Sequence, residues 1–374
     1  MLAELVAAVV SSIFAGLAAA GLYREKKFWS ASGYFQQRCR EIDVIVPLRG
    51  RPPGLEENLS AITRQEVGAK VRYIFVVDEP NDPAASIAAK YGEVLAAGSN
   101  PAAPGKSWAL ARALAVAKGD CIVFADDDIR PGPKWLEGLT APLSRYEAAT
   151  TYRWYLGSSL CTRARAAVSN TAFAAMQDPR SRFLWGGSTA LRRDVVERGR
   201  IAERLPRYIS DDYATYSAVK ELGGGIWFSR PSIAPTPDLE CRWGDMFKWA
   251  VRQILMVKWY AKGGWLLGLA IYTLNFAFGV LAPAVGLASG EPLLAVGLSI
   301  PLINLAKDFV RAKGVEAHAG VKARAAEVLA TWALGNFVIP LAVWASAFVR
   351  CVKWRGRTYC RDDVEKLKQY KAVA

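Results

Sequence analysis

Histidine is almost absent from this chain. The 374 residues contain one, His318, set in a basic loop. That shortage leaves no material for a His-built metal centre or a nucleophile–His–acid triad. Cysteine lacks the spacing that would give it chemistry. The six residues (Cys39, Cys121, Cys161, Cys241, Cys351 and Cys360) are scattered with no C-x-x-C pair. This argues against a zinc site, and scattered cysteines read as free thiols of a reducing compartment. Acid is short relative to base, 34 residues against 48, for a net charge of +14. With no Cys/His finger and no RNA-binding aromatic signature beside it, that charge does not point to nucleic acid. Many of the cations flank apolar segments instead, as in loops held against an anionic membrane leaflet.

What the chain has in plenty is apolar residue at both ends. Hydrophobic residues make up 52% and the mean hydropathy is +0.11, which suggests membrane helices rather than an oversized core. Residues 2–22 are apolar apart from Glu4 and two serines, and Arg24, Lys26 and Lys27 follow. Charges after the apolar run, rather than before it, predict a retained anchor with its C-terminal end in the cytoplasm. Beyond Asp245 the chain turns amphipathic and then apolar. Gly263 to Gly290 is long enough to span, Pro292 to Ala306 is short, and Val328 to Val349 is interrupted by Asn336 and Pro340. Three crossings would leave the basic tail (Lys353, Arg355, Arg357) on the outer side, against the positive-inside tendency. One segment being re-entrant or interfacial would resolve this, and the number of crossings stays open.

Between these ends, apolar strand-like runs alternate with helical stretches. Ile42 to Leu48, Tyr73 to Val77 and Ile122 to Ala125 read as buried strands, and Ser107 to Lys118 reads as a helix. Such alternation predicts an α/β domain with a mostly parallel sheet, its ligands bound beyond the carboxyl ends of the strands.

Acidic residues sit at those positions. Asp78 closes Ile74-Phe75-Val76-Val77, with Glu79, Asn81 and Asp82 beyond it. A carboxylate there can accept hydrogen bonds from a base or ribose, whereas the plainer alternative is a capped turn. Asp126-Asp127-Asp128 follows Ile122-Val123-Phe124-Ala125. Three adjacent like charges repel unless a cation neutralises them, and oxygen-only ligands suit Mg²⁺ or Mn²⁺ bridging a diphosphate. A solvated acidic turn is the alternative. Asp211-Asp212 precedes the helical run Tyr213 to Leu222, so Ser210 or Asp211 is expected to cap it while Asp212 faces the cleft as a general base.

Taken in order and spacing, these signals resemble the catalytic domain of the family-two inverting glycosyltransferases, from about Asp43 to Gln253. Within that group the chain is most similar to the membrane-bound ceramide glucosyltransferase type. The residues that carry the resemblance begin with the strand Asp43-Val44-Ile45-Val46-Pro47 and Val77-Asp78-Glu79. Pro104-Gly105-Lys106-Ser107 and Phe124-Ala125-Asp126-Asp127-Asp128 follow, then Trp185-Gly186-Gly187-Ser188-Thr189-Ala190-Leu191-Arg192 and Ser210-Asp211-Asp212-Tyr213. Gly105-Lys106-Ser107 is not a Walker loop, because Asn100 stands where the first glycine belongs.

The resemblance implies a GT-A fold with N- and C-terminal transmembrane helices. It implies a nucleotide-sugar donor, a UDP-sugar in the first instance, a lipid acceptor among membrane lipids, and Mn²⁺ or Mg²⁺ as cofactor. Asp78, Glu79, Pro47, Lys106 and Asp127 would lie on the donor, Asp126 and Asp128 would hold the metal, and Asp212 with Asp211 would be catalytic. Trp185, Gly186 and Gly187 would form an acceptor loop in which glycine allows close backbone approach. The family's Q/R-x-x-R-W motif is altered: Lys248-Trp249, Arg252-Gln253 and Lys258-Trp259 each match only in part. Trp243, Met246, Phe247, Ala250, Val251, Ile254 and Leu255 form an apolar helical stripe, and Asp245, Trp249, Arg252 and Met256 another. Trp249 and Arg252, with Gln253 beside them, are therefore the expected aromatic wall and diphosphate cation.

The expected divisions are an anchor at 1–23, a cytoplasmic GT-A domain at 24–240 and an amphipathic interfacial helix at 241–262. Transmembrane helices at 263–352 and a basic tail at 353–374 complete the chain. Transfer of one sugar with inversion is the leading reading. The alternatives are a polyprenyl-phosphate acceptor, a processive polysaccharide synthase, and a degenerate domain acting as scaffold or sensor.

Overall fold

The computed structural model describes residues 1–31 and 33–369, so the last five residues of the basic tail lie outside the described residues. The chain divides into two compact units. One comprises Gly33–Leu156, Asp178–Glu240 and Lys353–Ala374; the other comprises Met1–Ser32, Gly157–Gln177 and Cys241–Val352. The stretch 24–240 is therefore interrupted by Gly157–Gln177, and the basic tail belongs with the sheet.

The first unit is built on a seven-stranded, mostly parallel sheet. Its first four strands are β1 (Glu41–Pro47), β2 (Lys70–Val77), β3 (Glu93–Ala96) and β4 (Cys121–Ala125). β5 (Ala148–Thr150), β7 (Ser188–Arg192) and β8 (Ile226–Phe228) complete it, while β6 (Arg153–Leu156) pairs separately with β9 (Ala234–Pro237). The sheet order is β3-β2-β1-β4-β7-β5-β8. β1 is buried except at Glu41 and β4 is buried throughout, as continuous apolar runs should be when helices cover both sheet faces. The core gathers Ile45, Ile74, Ile122 and Phe124 from the strands with Leu110 and Leu114 from the helix Gly105–Leu114.

Register brings the strand ends together. Ile45 pairs with Ile74 on one side and Phe124 on the other, so β1, β2 and β4 run in parallel and their carboxyl ends share one edge. β7 runs antiparallel to β4 with Ala125 opposite Ser188. The loop before β7, which carries Trp185, Gly186 and Gly187, consequently returns to that same edge. Asp43, at the start of the resemblance, is structural: its buried carboxylate accepts from the Lys118 and Gly119 amides at 2.5 and 2.8 Å.

The cysteines overturn the expectation of free thiols. Cys39 is bonded to Cys121 and Cys161 to Cys241, each pair 5.8 Å apart at Cα, and Cys351 and Cys360 are disulfide-bonded as well. Local spacing could not reveal partners 82 and 80 residues apart. The fold makes the first pair, since Ile42 stands opposite Cys121 in the β1–β4 register, three residues beyond Cys39. Composition therefore gives no argument for a reducing compartment.

The second unit is helical. Among the described residues, four of its helices are long and apolar enough to cross a membrane: Leu2–Ser30, Lys262–Ser289, Pro292–Ala319 and Ala325–Phe348. The third exceeds the short apolar run Pro292 to Ala306 because the helix continues through its charged second half. In the amphipathic helix Trp243–Tyr260, Met246, Ala250, Val251 and Leu255 are buried as the stripe predicts, whereas Trp243 is half exposed. The helix Leu160–Met176, not anticipated from the sequence, packs Cys161 and Ala164 against Met246, Leu334 and Val338. Glu25 and Arg311 form a fully buried ion pair at 2.7 Å between the first and third long helices, with Trp29 donating to Glu25 at 2.8 Å.

Candidate active site

At the carboxyl edge of the sheet, two carboxylates hold one ammonium group. Lys106, in the first turn of the helix Gly105–Leu114, lies 2.8 Å from Asp126 Oδ1 and 2.9 Å from Asp211 Oδ2. The structure thus joins the predicted Asp126 group to the predicted Asp211-Asp212 group through the predicted lysine. Burial alone would lower the Lys106 amine, but Asp126 and Asp211 hold it above its ordinary value, so it stays charged.

Asp126-Asp127-Asp128 splits by alternation. Asp126 and Asp128 grip one guanidinium: Arg153 donates at 2.9 Å to each. Asp127 instead is buried and receives Arg355 at 3.2 and 3.4 Å. Burial would raise the Asp126 carboxyl, yet Lys106 and Arg153 keep it below its usual value. Asp127 goes the other way, pushed up to about 6 by burial against the opposing pull of Arg355.

Asp211 and Asp212 occupy the first turn of the helix Asp211–Glu221. Ser210 is its N-cap residue, but the Ser210 side chain makes no cap hydrogen bond, contrary to the expected cap. The Asp212 carboxyl is pushed up to about 7, first by burial, then by Asp211, with Lys106 and the Gly186 amide opposing. A rise from 3.8 to about 7 corresponds to roughly 4 kcal/mol. A helix N-terminus favours a carboxylate by only about 0.3–1 kcal/mol, so burial and the like charge prevail. Asp212 is therefore a carboxyl that can accept a proton near neutral pH, the property a general base needs.

The Trp185-Gly186-Gly187 loop closes the site from β7. The Gly186 amide donates to Asp212, and the Asp126 amide donates to the Gly187 carbonyl at 3.1 Å. A side chain at Gly186 would stand 2.5 Å from Asp212 Oδ1, and one at Gly187 would stand 2.6 Å from Asp126 Oδ2. These two glycines are required by close approach. The Trp185 ring stacks under the Arg153 guanidinium, 4.8 Å from its centre.

Asp78, after β2, is 3.7 Å from Arg49. Pro47 ends β1, and Glu79 begins the turn after Asp78. Asp82 proves to be the plain helix cap, accepting from the Ala84 amide at 2.8 Å. Trp249, Arg252 and Gln253 lie on the helix Trp243–Tyr260 in the other unit. Sequence reasoning missed Arg153, which no motif flags. It assigned Arg355 and Arg357 to a basic tail, although the single Arg355-Gly356-Arg357 between Trp354 and Tyr359 was legible.

The residues fit a divalent cation. Asp126 and Asp128 converge on one cationic group, and Asp128 Oδ1 is buried with no hydrogen-bond partner. Among the described residues no three His, Cys, Asp or Glu side chains form a metal cage. A pair of carboxylates such as Asp126 and Asp128 is what Mg²⁺-type sites use together with substrate phosphates.

The sequence matches the family model for glycosyl transferase family 21 over residues 5–365. The chain belongs to that family. Among curated proteins, none matches it. Of solved structures, the mannosyltransferase of Pyrobaculum calidifontis, in complex with GDP-mannose and Mn²⁺, is similar with a TM-score of 0.51. That match has 16% identity and covers 92% of this chain and 99% of that one. Glucosyl-3-phosphoglycerate synthase from Mycobacterium tuberculosis is 20% identical over 59% of this chain and 79% of its own, at a TM-score of 0.42. The family-21 chain thus has the expected GT-A fold, with long apolar helices at its N- and C-terminal ends.

Proposed function

We propose that this family-21 protein transfers one sugar, with inversion, from a nucleotide-sugar to the hydroxyl of a lipid. The observation that carries the reading is the Asp212 carboxyl, held near a pKa of about 7 beside the carboxylate–lysine cluster. A hydroxyl acceptor must lose a proton as it attacks, and a phosphate acceptor need not. The elevated carboxyl therefore favours a glycolipid product over a polyprenyl-phosphate sugar.

In this reading the acceptor oxygen attacks the anomeric carbon and its proton passes to Asp212. The bond from that carbon to the diphosphate oxygen breaks, and the nucleoside diphosphate leaves. Asp211 and Lys106 fix the charge around Asp212. Asp78, with Glu79 and Pro47, would bind the base and ribose. The Trp185 ring would wall the acceptor, and Gly186 and Gly187 would let it approach the backbone closely. Asp126 and Asp128 would hold the divalent cation, Mn²⁺ or Mg²⁺, which when bound neutralises charge on the leaving diphosphate. Mn²⁺ is the first to test, given its presence beside GDP-mannose in the Pyrobaculum calidifontis mannosyltransferase. Trp249, Arg252 and Gln253 remain candidates for the donor side, as aromatic wall and diphosphate cation. The catalytic unit belongs on the cytoplasmic face because nucleotide-sugars are available there.

Product analysis of the reconstituted protein with UDP-glucose, GDP-mannose and total lipid extract tests this reading. A single new glycolipid supports it. A ladder of oligosaccharides would replace it with processive synthesis, and a polyprenyl-phosphate sugar formed equally well by Asp212→Asn would move the acceptor class.

A further inference from the structure

The last two strands, β10 (Cys351–Trp354) and β11 (Arg357–Cys360), make a small hairpin closed by the two residues Arg355 and Gly356. Both have positive φ, 45° and 81°. A two-residue turn with positive φ at both positions normally takes Asn, Asp or Gly first, and a long side chain is disfavoured there. A bulky residue in that conformation suggests that its side chain has a task.

The side chain reaches the acidic edge of the sheet. Arg355 Nη2 donates to both oxygens of Asp127, at 3.2 and 3.4 Å, and its side chain is 43% exposed while that of Asp127 is 6%. The guanidinium is thus open to a ligand on one side and anchored on the other. Arg357, on the far side of the turn, donates to the carbonyls of Asn100 and Ala103 at 3.1 and 2.5 Å. Those carbonyls belong to the loop that leads into the Lys106 helix. Gly356 approaches the donor edge too, since a side chain added there would stand 3.6 Å from Arg49, the partner of Asp78.

Charge makes a role for this turn. The other cations of the cluster are already committed: Lys106 to Asp126 and Asp211, Arg153 to Asp126 and Asp128. A nucleoside diphosphate brings further negative charge to three adjacent carboxylates, more than one divalent ion offsets. An exposed guanidinium beside them matches phosphate oxygens with a two-pronged donor set.

We infer that the Arg355-Gly356 turn is a clasp for the donor, in which Arg355 leaves or shares Asp127 to bind the β-phosphate of the nucleotide. Arg357 is a positioning residue that fixes the clasp against the Asn100–Pro104 loop. The inference rests on the donor-site reading above and moves the diphosphate cation from Arg252 to the C-terminal hairpin.

The test compares binding of UDP with UMP, and of GDP with GMP, to the full-length protein in detergent with Mn²⁺, by calorimetry. The wild-type protein is expected to prefer one diphosphate over its monophosphate. Arg355→Ala should reduce that preference, weakening the diphosphate about 10- to 100-fold while leaving the monophosphate within about twofold. Arg355→Lys, which keeps the charge but loses the fork, should recover part of it. In kinetics the alanine variant should raise KM for the donor more than it lowers kcat. Equal weakening of diphosphate and monophosphate, or no weakening of either with the melting temperature unchanged, would overturn the clasp while leaving the donor site intact. A wild-type protein that binds none of the four nucleotides would overturn the donor-site reading, and the clasp with it.

Discussion

Replacing Asp212 with asparagine should make the protein more stable and less active at once, with both effects set by one pKa. In the folded state the Asp212 carboxyl titrates near 7, against an ordinary 3.8. A raised folded pKa means that the folded protein holds its proton more tightly, so the ionised side chain costs stability as pH rises above 3.8. The cost levels off above the folded pKa. At pH 8 the full difference applies, about 4 kcal/mol, and at pH 5 less than half of it. Asp212→Asn removes that cost while keeping an oxygen to accept from Gly186. Its melting temperature in detergent should therefore exceed that of wild type at pH 8, with the gap narrowing to less than half by pH 5. Transfer to a hydroxyl acceptor should fall by about 10²–10⁴-fold, the usual contribution of a positioned base. In the wild-type protein kcat should drop about tenfold per pH unit below 7, as the base becomes protonated. A variant no more stable than wild type at pH 8, or a wild-type rate flat from pH 5.5 to 8, would refute both the raised carboxyl and its role.

Asp128→Asn should abolish Mn²⁺-dependent donor binding, measured by calorimetry with and without chelator, while circular dichroism stays unchanged; undiminished affinity would remove Asp128 from the metal site. Gly186→Ala should lower kcat by at least about 100-fold, because its new carbon would displace the carboxylates of Asp211 and Asp212; a variant with wild-type kcat would break the link between this loop and the base. Opening the Cys39–Cys121 disulfide by Cys39→Ser should cost about 4–5 kcal/mol by loop entropy for an 82-residue separation, read as a lower denaturant midpoint. Thiol titration of the unreduced, denatured protein should find essentially no free cysteine, and a full complement of thiols would restore the original reading of reduced residues. Breaking the buried pair by Arg311→Met should destabilise the helical unit by about 3–5 kcal/mol, and adding Glu25→Gln should return much of that loss.

The parts of the fold visible in the sequence are those set by short-range pattern. Ile42 to Leu48 and Ile122 to Ala125 could be read as strands because both faces of a parallel sheet are covered, which makes the runs continuously apolar. Asp78, Asp126 and Asp212 were legible for the related reason that such sheets bind ligands past their strand ends. What pairs across the chain was not legible. Cys39 and Cys121 meet only through the β1–β4 register, and Glu25 meets Arg311 across 286 residues. Arg153 carries no motif, yet it bridges two of the three adjacent aspartates. Arg355 sits in a tail whose basic character suggested a membrane flank, whereas its partner Asp127 lies 228 residues away. Periodicity is a local signal, and the electrostatics of this site are built from distant segments.

The central claim is donor-dependent sugar transfer at the Asp126–Asp128 and Asp212 cluster. It is tested most directly by nucleotide release from a panel of UDP- and GDP-sugars by the membrane-reconstituted protein. The assay is run with total lipid extract, in Mn²⁺ or with chelator. Release from one donor is expected, abolished by chelator and by Asp128→Asn, together with a new glycolipid. A folded protein that releases nucleotide from none of them, or releases it equally in chelator, would contradict it.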